Sequence, residues 1–310
     1  MTGAILVTGA TGFVGRALLA ALADEPRPVV ALVRTYAPDL PAHVIQRIAP
    51  DIETLDQDQW LGVLEGISHV VHLAGIAHIG PEIPEARYDA VNHRATAELG
   101  AACVVAGVKR LVFASSIRAQ CGASSTIVQT ETSTPAPTDA YGRAKLAAER
   151  ALQQLPLDCV ILRPTLIVGP EPKGNLRLLV RLAATGWPLP FASLSGKRSM
   201  ISLGDVVAVL RRALDDAAMT GGTFILAEPA PFSFGDMISH IRTGLGMGRR
   251  LFPLPEMLMS LPFALIGRGD MWQRIGGNLL AQPDGLRRIG FTSVQPVAAA
   301  LAGLGAAQRR

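Results

Sequence analysis

A chain of 310 residues, 49% of them hydrophobic and 17% charged, can bury a large core and is sized for one compound domain or two closely joined ones. Its formal charge of +4 comes from scattered arginines, with doublets at Arg211-Arg212, Arg249-Arg250, Arg287-Arg288 and Arg309-Arg310 that suit solvated helix faces or termini, so nucleic-acid binding is not expected. Cys103, Cys121 and Cys159 are odd in number and widely spaced, which argues against a disulfide framework; with no leader-like segment before the first strand, the expected setting is reducing and cytoplasmic.

The first element is strand-like, Ala4-Ile5-Leu6-Val7, and runs into Thr8-Gly9-Ala10-Thr11-Gly12-Phe13-Val14-Gly15 and a helix-like stretch from Arg16 to Ala23. Glycines three apart at a strand-to-helix turn let the backbone approach a pyrophosphate, whose charge is met by N–H groups and the positive end of the following helix. Gly9, Thr11, Gly12, Phe13, Val14 and Gly15 are therefore expected to hold a dinucleotide. From there to Pro164 short apolar runs alternate with segments of helical period, with strands near Ile5, Val30, Val44, Val71, Val112 and Ile161. That alternation predicts an α/β fold with a parallel sheet covered on both faces. Right-handed crossovers bring the C-terminal ends of the strands to one edge, so the glycine turn, Arg34, Asp51, Ala74, Ser116 and Pro164 should share it.

The second strand ends Leu32-Val33-Arg34-Thr35, where an acidic side chain would accept the hydroxyls of an adenosine ribose. Arg34 there can instead pair with a 2′-phosphate, which favours NADP(H) while leaving NAD(H) possible. The fifth strand ends at Ala114-Ser115-Ser116, and Asp139-Ala140-Tyr141-Gly142-Arg143-Ala144-Lys145 opens a helix. Tyr141 and Lys145 stand at i and i+4 on one helix face, so the ammonium is expected to lower the phenol's pKa and make Tyr141 a usable acid or base.

In order and spacing these parts resemble the extended short-chain dehydrogenase/reductase family, in its NAD-dependent epimerase/dehydratase branch. Other matching landmarks are Asp51-Ile52, His69-Val70-Val71-His72-Leu73-Ala74-Gly75, Val91-Asn92 and Arg163-Pro164. The resemblance implies a doubly wound parallel Rossmann sheet, residues 1–164, with a smaller C-terminal α+β substrate domain, residues 165–310, and a segment near 199–227 returning to the sheet. It implies a catalytic set of Ser116, Tyr141 and Lys145, with Ser115 as the alternative register for the serine. It also assigns Asp51, Ile52, Leu73, Ala74, Gly75, Asn92, Tyr141, Lys145 and Pro164 to the cofactor. Relatives often dimerise through the Asn92 and Tyr141 helices, so a homodimer is expected.

Past Pro164 the pattern loosens. Asp205 is expected to cap a helix with the apolar stripe Val206, Val209, Leu210, Ala213 and Leu214, Thr223 to Ala227 suits a returning strand, and Thr130 to Thr138 reads as a loop beside the site. Gly169-Pro170-Glu171-Pro172-Lys173-Gly174-Asn175-Leu176 leads into a helix-like stretch, and Lys197-Arg198 offers a cation before the next. In nucleotide-sugar members of the family such an asparagine and such an arginine hold the diphosphate, which points to Asn175 and Arg198. The run Ser115-Ser116-Ile117-Arg118-Ala119-Gln120-Cys121-Gly122 departs from the epimerase-like ending Tyr-Gly. It is more similar to bacterial surface-polysaccharide reductases of UDP-4-keto-6-deoxy-N-acetylhexosamines, with Arg118 facing the substrate. The implied activity is NADPH-dependent reduction at C4 of a UDP-sugar, with a 4-epimerase retaining NAD as the alternative and a non-catalytic dinucleotide sensor as a remote one.

No metal site is expected. His69 and His72 fall on opposite faces of a strand, and His43, His78, His93 and His240 are isolated. No apolar run reaches the length of a spanning helix; Leu251 to Ile266 comes nearest, but Pro253, Pro255, Glu256 and Pro262 interrupt it. It suits a helix packed on the substrate domain, with weak peripheral membrane contact as the minor reading.

Overall fold

The computed structural model describes residues 3–76, 83–172, 174–265, 272 and 276–309; His78, Lys173 and Ile266 lie outside them. The six expected strands are β1 (Ala4–Thr8), β2 (Val29–Val33), β3 (Val44–Ile48), β4 (Ile67–His72), β5 (Arg110–Ala114) and β6 (Asp158–Pro164). With the strand Thr223–Leu226 they form a seven-stranded sheet in the order Thr223–Leu226, β6, β5, β4, β1, β2, β3. Every pairing is parallel. Parallel pairing needs a crossover between strands, and helical segments supply it except between β2 and β3, which residues 34–43 join by turns.

The two-residue period of the strands builds two cores. Ile5, Val7, Val71, Val112 and Val160 face the helices Phe13–Ala21 and Leu203–Asp215, whereas Leu6, Val70, Leu111, Phe113 and Ile161 face Trp60, Leu99, Ala148 and Leu152. The inner strands, buried on both faces, read as largely apolar runs and stood out in the sequence, whereas the edge strand β3 is buried only at Val44.

Helix Leu203–Asp215 buries the expected stripe, but Asp205 is not its cap. Ser202 takes that place, its Oγ accepting from Asp205 N at 3.0 Å. The buried Asp205 carboxylate instead accepts from Val294 N (2.7 Å), Gln295 N (3.0 Å) and Ser293 Oγ (2.6 Å), tying this helix to the segment before the C-terminal helix Val297–Ala307. An acid three residues past a serine satisfies either pattern in sequence, and the tertiary partner decided which.

A third apolar cluster joins helices Gly174–Ala184, Phe234–Gly244 and Val297–Ala307 with Val168 and Met200. Inside it Arg242 is fully buried, and its guanidinium donates to the carbonyls of Ala183 (3.1 Å), Trp187 (2.6 Å), Arg249 (2.8 Å) and Arg250 (3.1 Å). Burying a cation is costly unless its donors are satisfied, and here main-chain oxygens do so.

Candidate active site

The glycine turn closes β1 onto the helix Phe13–Ala21. Gly9 takes a φ of 67°, and a Cβ there would lie 2.7 Å from the backbone of Leu73 and Ala74. A Cβ on Gly15 would lie 2.2 Å from the Gly9 carbonyl, so strand and helix touch backbone to backbone. Gly12 caps this helix with no side-chain hydrogen bond, and no acidic residue stands in its first turn. Leading N–H groups without a side-chain cap, beside exposed Thr11 and Gly12, suit a pyrophosphate, so the cradle fits the dinucleotide expected of it.

Behind the cradle runs a buried hydrogen-bond chain that sequence reading did not foresee. Ala74 N donates to Thr8 Oγ1 (3.2 Å), which lies 2.7 Å from His72 Nδ1; His72 Nε2 lies 3.0 Å from Thr96 Oγ1, which donates to the Asn92 carbonyl (3.0 Å). Since the Thr96 hydrogen is used on Asn92, Nε2 is the donating nitrogen and Nδ1 accepts from Thr8. Asn92 in turn clamps the loop after β4, its Oδ1 accepting from Ile76 N (2.7 Å) and its Nδ2 donating to the Ile76 carbonyl (3.0 Å). Expected to touch the cofactor, Asn92 spends its side chain on the turn holding Leu73, Ala74 and Gly75. It sits in a π-helical turn, Asp89–Arg94, continuous with the helix Ala95–Val105.

Burial drives the His72 pKa down to about 3. Between that value and the ordinary histidine range near 6.5 the unfolded chain binds a proton that the folded one refuses, so stability falls as pH drops from 6.5 toward 3. The expected loss from this group is up to about 5 kcal/mol. Chemical denaturation at pH 7 and pH 4 should give a clearly flatter dependence for His72→Asn; equal slopes would mean that other groups carry the acid sensitivity.

At the ends of β5 and β6 the structure brings Ser116, Tyr141 and Lys145 together. Ser116 caps the short helix Ile117–Gln120, its Oγ accepting from Arg118 N at 3.1 Å, and stands beside the Tyr141 phenol. Ser115 points the other way, donating to Glu149, so Ser116 is the register facing the tyrosine. Tyr141 lies in the first turn of the helix Ala140–Gln153, capped by Asp139, which accepts from Gly142 N at 2.7 Å. Lys145 Nζ donates to the Ala114 carbonyl at 2.9 Å and sits 4.6 Å from the centroid of the Phe113 ring.

The electrostatics correct one expectation. Tyr141 is not acidified by Lys145: burial raises its pKa, and the opposing pull comes mainly from the neighbouring Ser116 hydroxyl. Lys145 is itself pushed down to about 8, because burial penalises its charge more than nearby Glu149 restores it. The i, i+4 relation put both side chains on one face, yet the ammonium is turned to the end of β5.

Arg118 forms an ion pair with Asp139, so it braces the cap of the Tyr141 helix; its Nε is buried without a hydrogen-bond partner. The expected substrate contact thus comes from a side chain already anchored. Beneath the site, Glu149 and Arg163 form a buried ion pair, with Arg163 Nε 3.0 Å from Glu149 Oε1 and 3.2 Å from Oε2, and Arg163 also bonds Gln120. Glu149 was missed in the sequence although its position four residues after Lys145 places it on the same face. Arg163 figured only as the residue before Pro164, which ends β6.

Arg34 and Asp51, both on the expected edge, pair with each other at 3.0 Å and are exposed; Ile52 begins the short helix that Asp51 caps. Asn175 is exposed and stands inside the first turn of the helix Gly174–Ala184 rather than before it. Arg198 lies on the strand Lys197–Arg198 and donates to the Ala123 carbonyl at 3.1 Å. The Thr130–Thr138 loop reaches the site, with Ala136 N donating to the Gln120 carbonyl at 2.8 Å. Among the described residues no group of three His, Cys, Asp or Glu side chains is placed to hold a metal, and no helix is long and apolar enough to cross a membrane.

The family described as "NAD dependent epimerase/dehydratase family" matches residues 5–227. The chain is 30% identical over 290 residues to a UDP-glucose 4-epimerase of Vibrio cholerae, covering 90% of this chain and 87% of that one. It is 26% identical over 270 residues to an N-acetyl-alpha-D-glucosaminyl-diphospho-ditrans,octacis-undecaprenol 4-epimerase of Escherichia coli O157:H7, covering 85% and 77%. Among solved structures, MoeE5 in complex with UDP-glucose and NAD superposes with a TM-score of 0.76 at 26% identity, covering 99% of each chain.

Proposed function

The chain belongs to the NAD dependent epimerase/dehydratase family, and from that premise we propose that it moves a hydride at C4 of a UDP-sugar, as a 4-epimerase that keeps its NAD(H). The observation that carries the reading is the meeting of Ser116, Tyr141 and Lys145 at the same sheet edge as the glycine cradle. A binding module needs no acid/base pair. The relatives named 4-epimerases, similar over most of this chain, support the epimerase form.

The bound nicotinamide would supply the hydride acceptor and donor. Ser116 Oγ would hold the C4 oxygen by a hydrogen bond. Tyr141 Oη, ionised beside the positive charge of the oxidised nicotinamide, would take the C4 hydroxyl proton as the keto-sugar forms and return it when C4 is reduced on its other face. Lys145 would bind the nicotinamide ribose through Nζ. Arg198, with Asn175 at the start of its helix, would hold the diphosphate, and Arg118 would steady the Tyr141 helix.

The ketoreductase reading keeps one observation in its favour, the loop after Ser116 that ends Cys121-Gly122 where an epimerase-like chain has Tyr-Gly. One experiment separates the two. We expect UDP-glucose and UDP-galactose, or their N-acetyl forms, to interconvert without added cofactor and without net NAD(P)H oxidation. Stoichiometric NADPH loss on UDP-4-keto-6-deoxy-N-acetylglucosamine, with label from deuterated NADPH at C4 and no such interconversion, would establish the reductase instead.

For the cofactor, the Arg34–Asp51 pair shifts the balance from NADP(H) to NAD(H), since Asp51 occupies the guanidinium and adds a negative charge beside any 2′-phosphate. An exposed pair of this kind is worth at most about 1 kcal/mol, so it is readily opened. Asp51→Asn should move the NADPH-to-NADH affinity ratio toward NADPH by up to about fivefold, the scale of an exposed ion pair. An unchanged ratio in direct titration would remove Arg34 from cofactor choice.

A further inference from the structure

Segments 187–193 and 250–254 run side by side: Leu189 N donates to the Arg250 carbonyl (3.0 Å), Phe252 N to the Leu189 carbonyl (3.0 Å) and Ala192 N to the Phe252 carbonyl (3.2 Å). The second segment leads into the helix Glu256–Leu265. Along this ladder and helix Trp187 is 73% exposed, Phe252 42%, Met257 81%, Leu258 55% and Leu261 51%. Met257, Leu258 and Leu261 stand at i, i+1 and i+4 on one side of the helix, while Met259 is buried. Single exposed apolar side chains are ordinary; a run of them on adjoining elements marks an interaction surface.

The ladder is held from beneath. The Arg242 guanidinium ties the carbonyls of Trp187, Arg249 and Arg250 to one buried point, and Arg250 Nη1 donates to the Gly186 carbonyl at 3.1 Å. The Trp187 ring is thus presented to solvent by fixed backbone. Exposed Arg249 and Arg250 immediately precede the apolar residues, and the guanidinium of exposed Arg309 lies against Gly246 on the same turn. Among the described residues, Asp236 lies near Arg249 but is engaged in capping Phe234–Gly244, and Glu256 stands in the first turn of the helix Glu256–Leu265.

We propose that this face docks on an anionic phospholipid bilayer, with Trp187, Phe252, Met257, Leu258 and Leu261 entering the headgroup boundary and the arginines meeting lipid phosphates. Exposed apolar side chains next to fixed cations match an interface that is apolar inside and anionic at its surface. A second copy of the chain suits the face less well, because like-charged rims would be brought together.

The test uses the full-length chain and vesicles of phosphatidylcholine, alone or mixed with phosphatidylglycerol. We expect co-sedimentation with the mixed vesicles, about tenfold or more stronger than with phosphatidylcholine alone and weakened by salt. A blue shift of tryptophan emission on binding should vanish in Trp187→Phe. Met257→Ser with Leu258→Ser, and separately Arg249→Ala with Arg309→Ala, should each lower partitioning about tenfold or more while leaving sugar-nucleotide turnover and thermal unfolding unchanged. The proposal is overturned if the wild-type chain fails to partition into mixed vesicles, or if the folded variants partition as it does. It is equally overturned if the apolar substitutions dissociate a dimer that shows no vesicle binding, which would assign the face to a second copy.

Discussion

Tyr141→Phe is expected to reduce turnover by about 10²- to 10⁴-fold, the usual contribution of a positioned acid or base, while leaving cofactor affinity nearly intact. The phenol is buried beside Ser116 with a raised pKa, so burial alone favours its protonated form and the positive charge of an oxidised nicotinamide would be needed to ionise it. Its ring packs edge-on against Tyr88 at 6.2 Å between centroids, a contact phenylalanine preserves. The variant therefore removes the hydroxyl without disturbing the helix. Steady-state rates across pH, with dinucleotide titration of the same preparation, make the check. Near-normal rates would take Tyr141 out of the proton-transfer role.

Glu149→Ala is expected to cost about 3–5 kcal/mol of folding stability, because it leaves the Arg163 guanidinium buried without its counter-charge. Both side chains are almost wholly sealed from water, and the carboxylate also accepts from Ser115, the neighbour of Ser116. Replacing both ends of the pair by apolar residues, as in Glu149→Leu with Arg163→Met, should recover much of that loss by removing the stranded charge. Denaturant unfolding of Glu149→Leu, Arg163→Met and the double variant measures the coupling. A single-variant loss below about 1 kcal/mol would place the pair in the range of exposed ion pairs and contradict its burial.

What could be read from the sequence was what local chemistry dictates. The strands announce themselves because a parallel strand covered on both sides has no polar face, and the glycine cradle does so because a backbone-to-backbone contact leaves no room for Cβ. The Tyr141–Lys145 spacing likewise follows from helix geometry. Tertiary pairing was hidden. Whether Ser115 or Ser116 faces the tyrosine depends on Glu149 claiming the other hydroxyl, and nothing local to Ser115-Ser116 carries that information. Lys145 was visible as a neighbour of Tyr141, but its turn toward Ala114 and Phe113 depends on how the helix sits over β5. Arg34 looked free for a phosphate because Asp51, at the end of another strand, is remote in the chain.

The strand Thr223–Leu226 closes the sheet against β6 only after the chain has passed through the helices Gly174–Ala184 and Leu203–Asp215. During synthesis the ribosome delivers β6 well before the strand that covers its outer side, so for that interval β6 is a bare edge with unpaired main-chain groups. Residue order therefore imposes a waiting time on the nascent chain. A fragment ending at Pro164 would carry that open edge permanently and should self-associate, whereas one extended past Leu226 gains the strand that blocks it. A cut placed after Pro164 by position along the chain would therefore sever a sheet that is not yet complete.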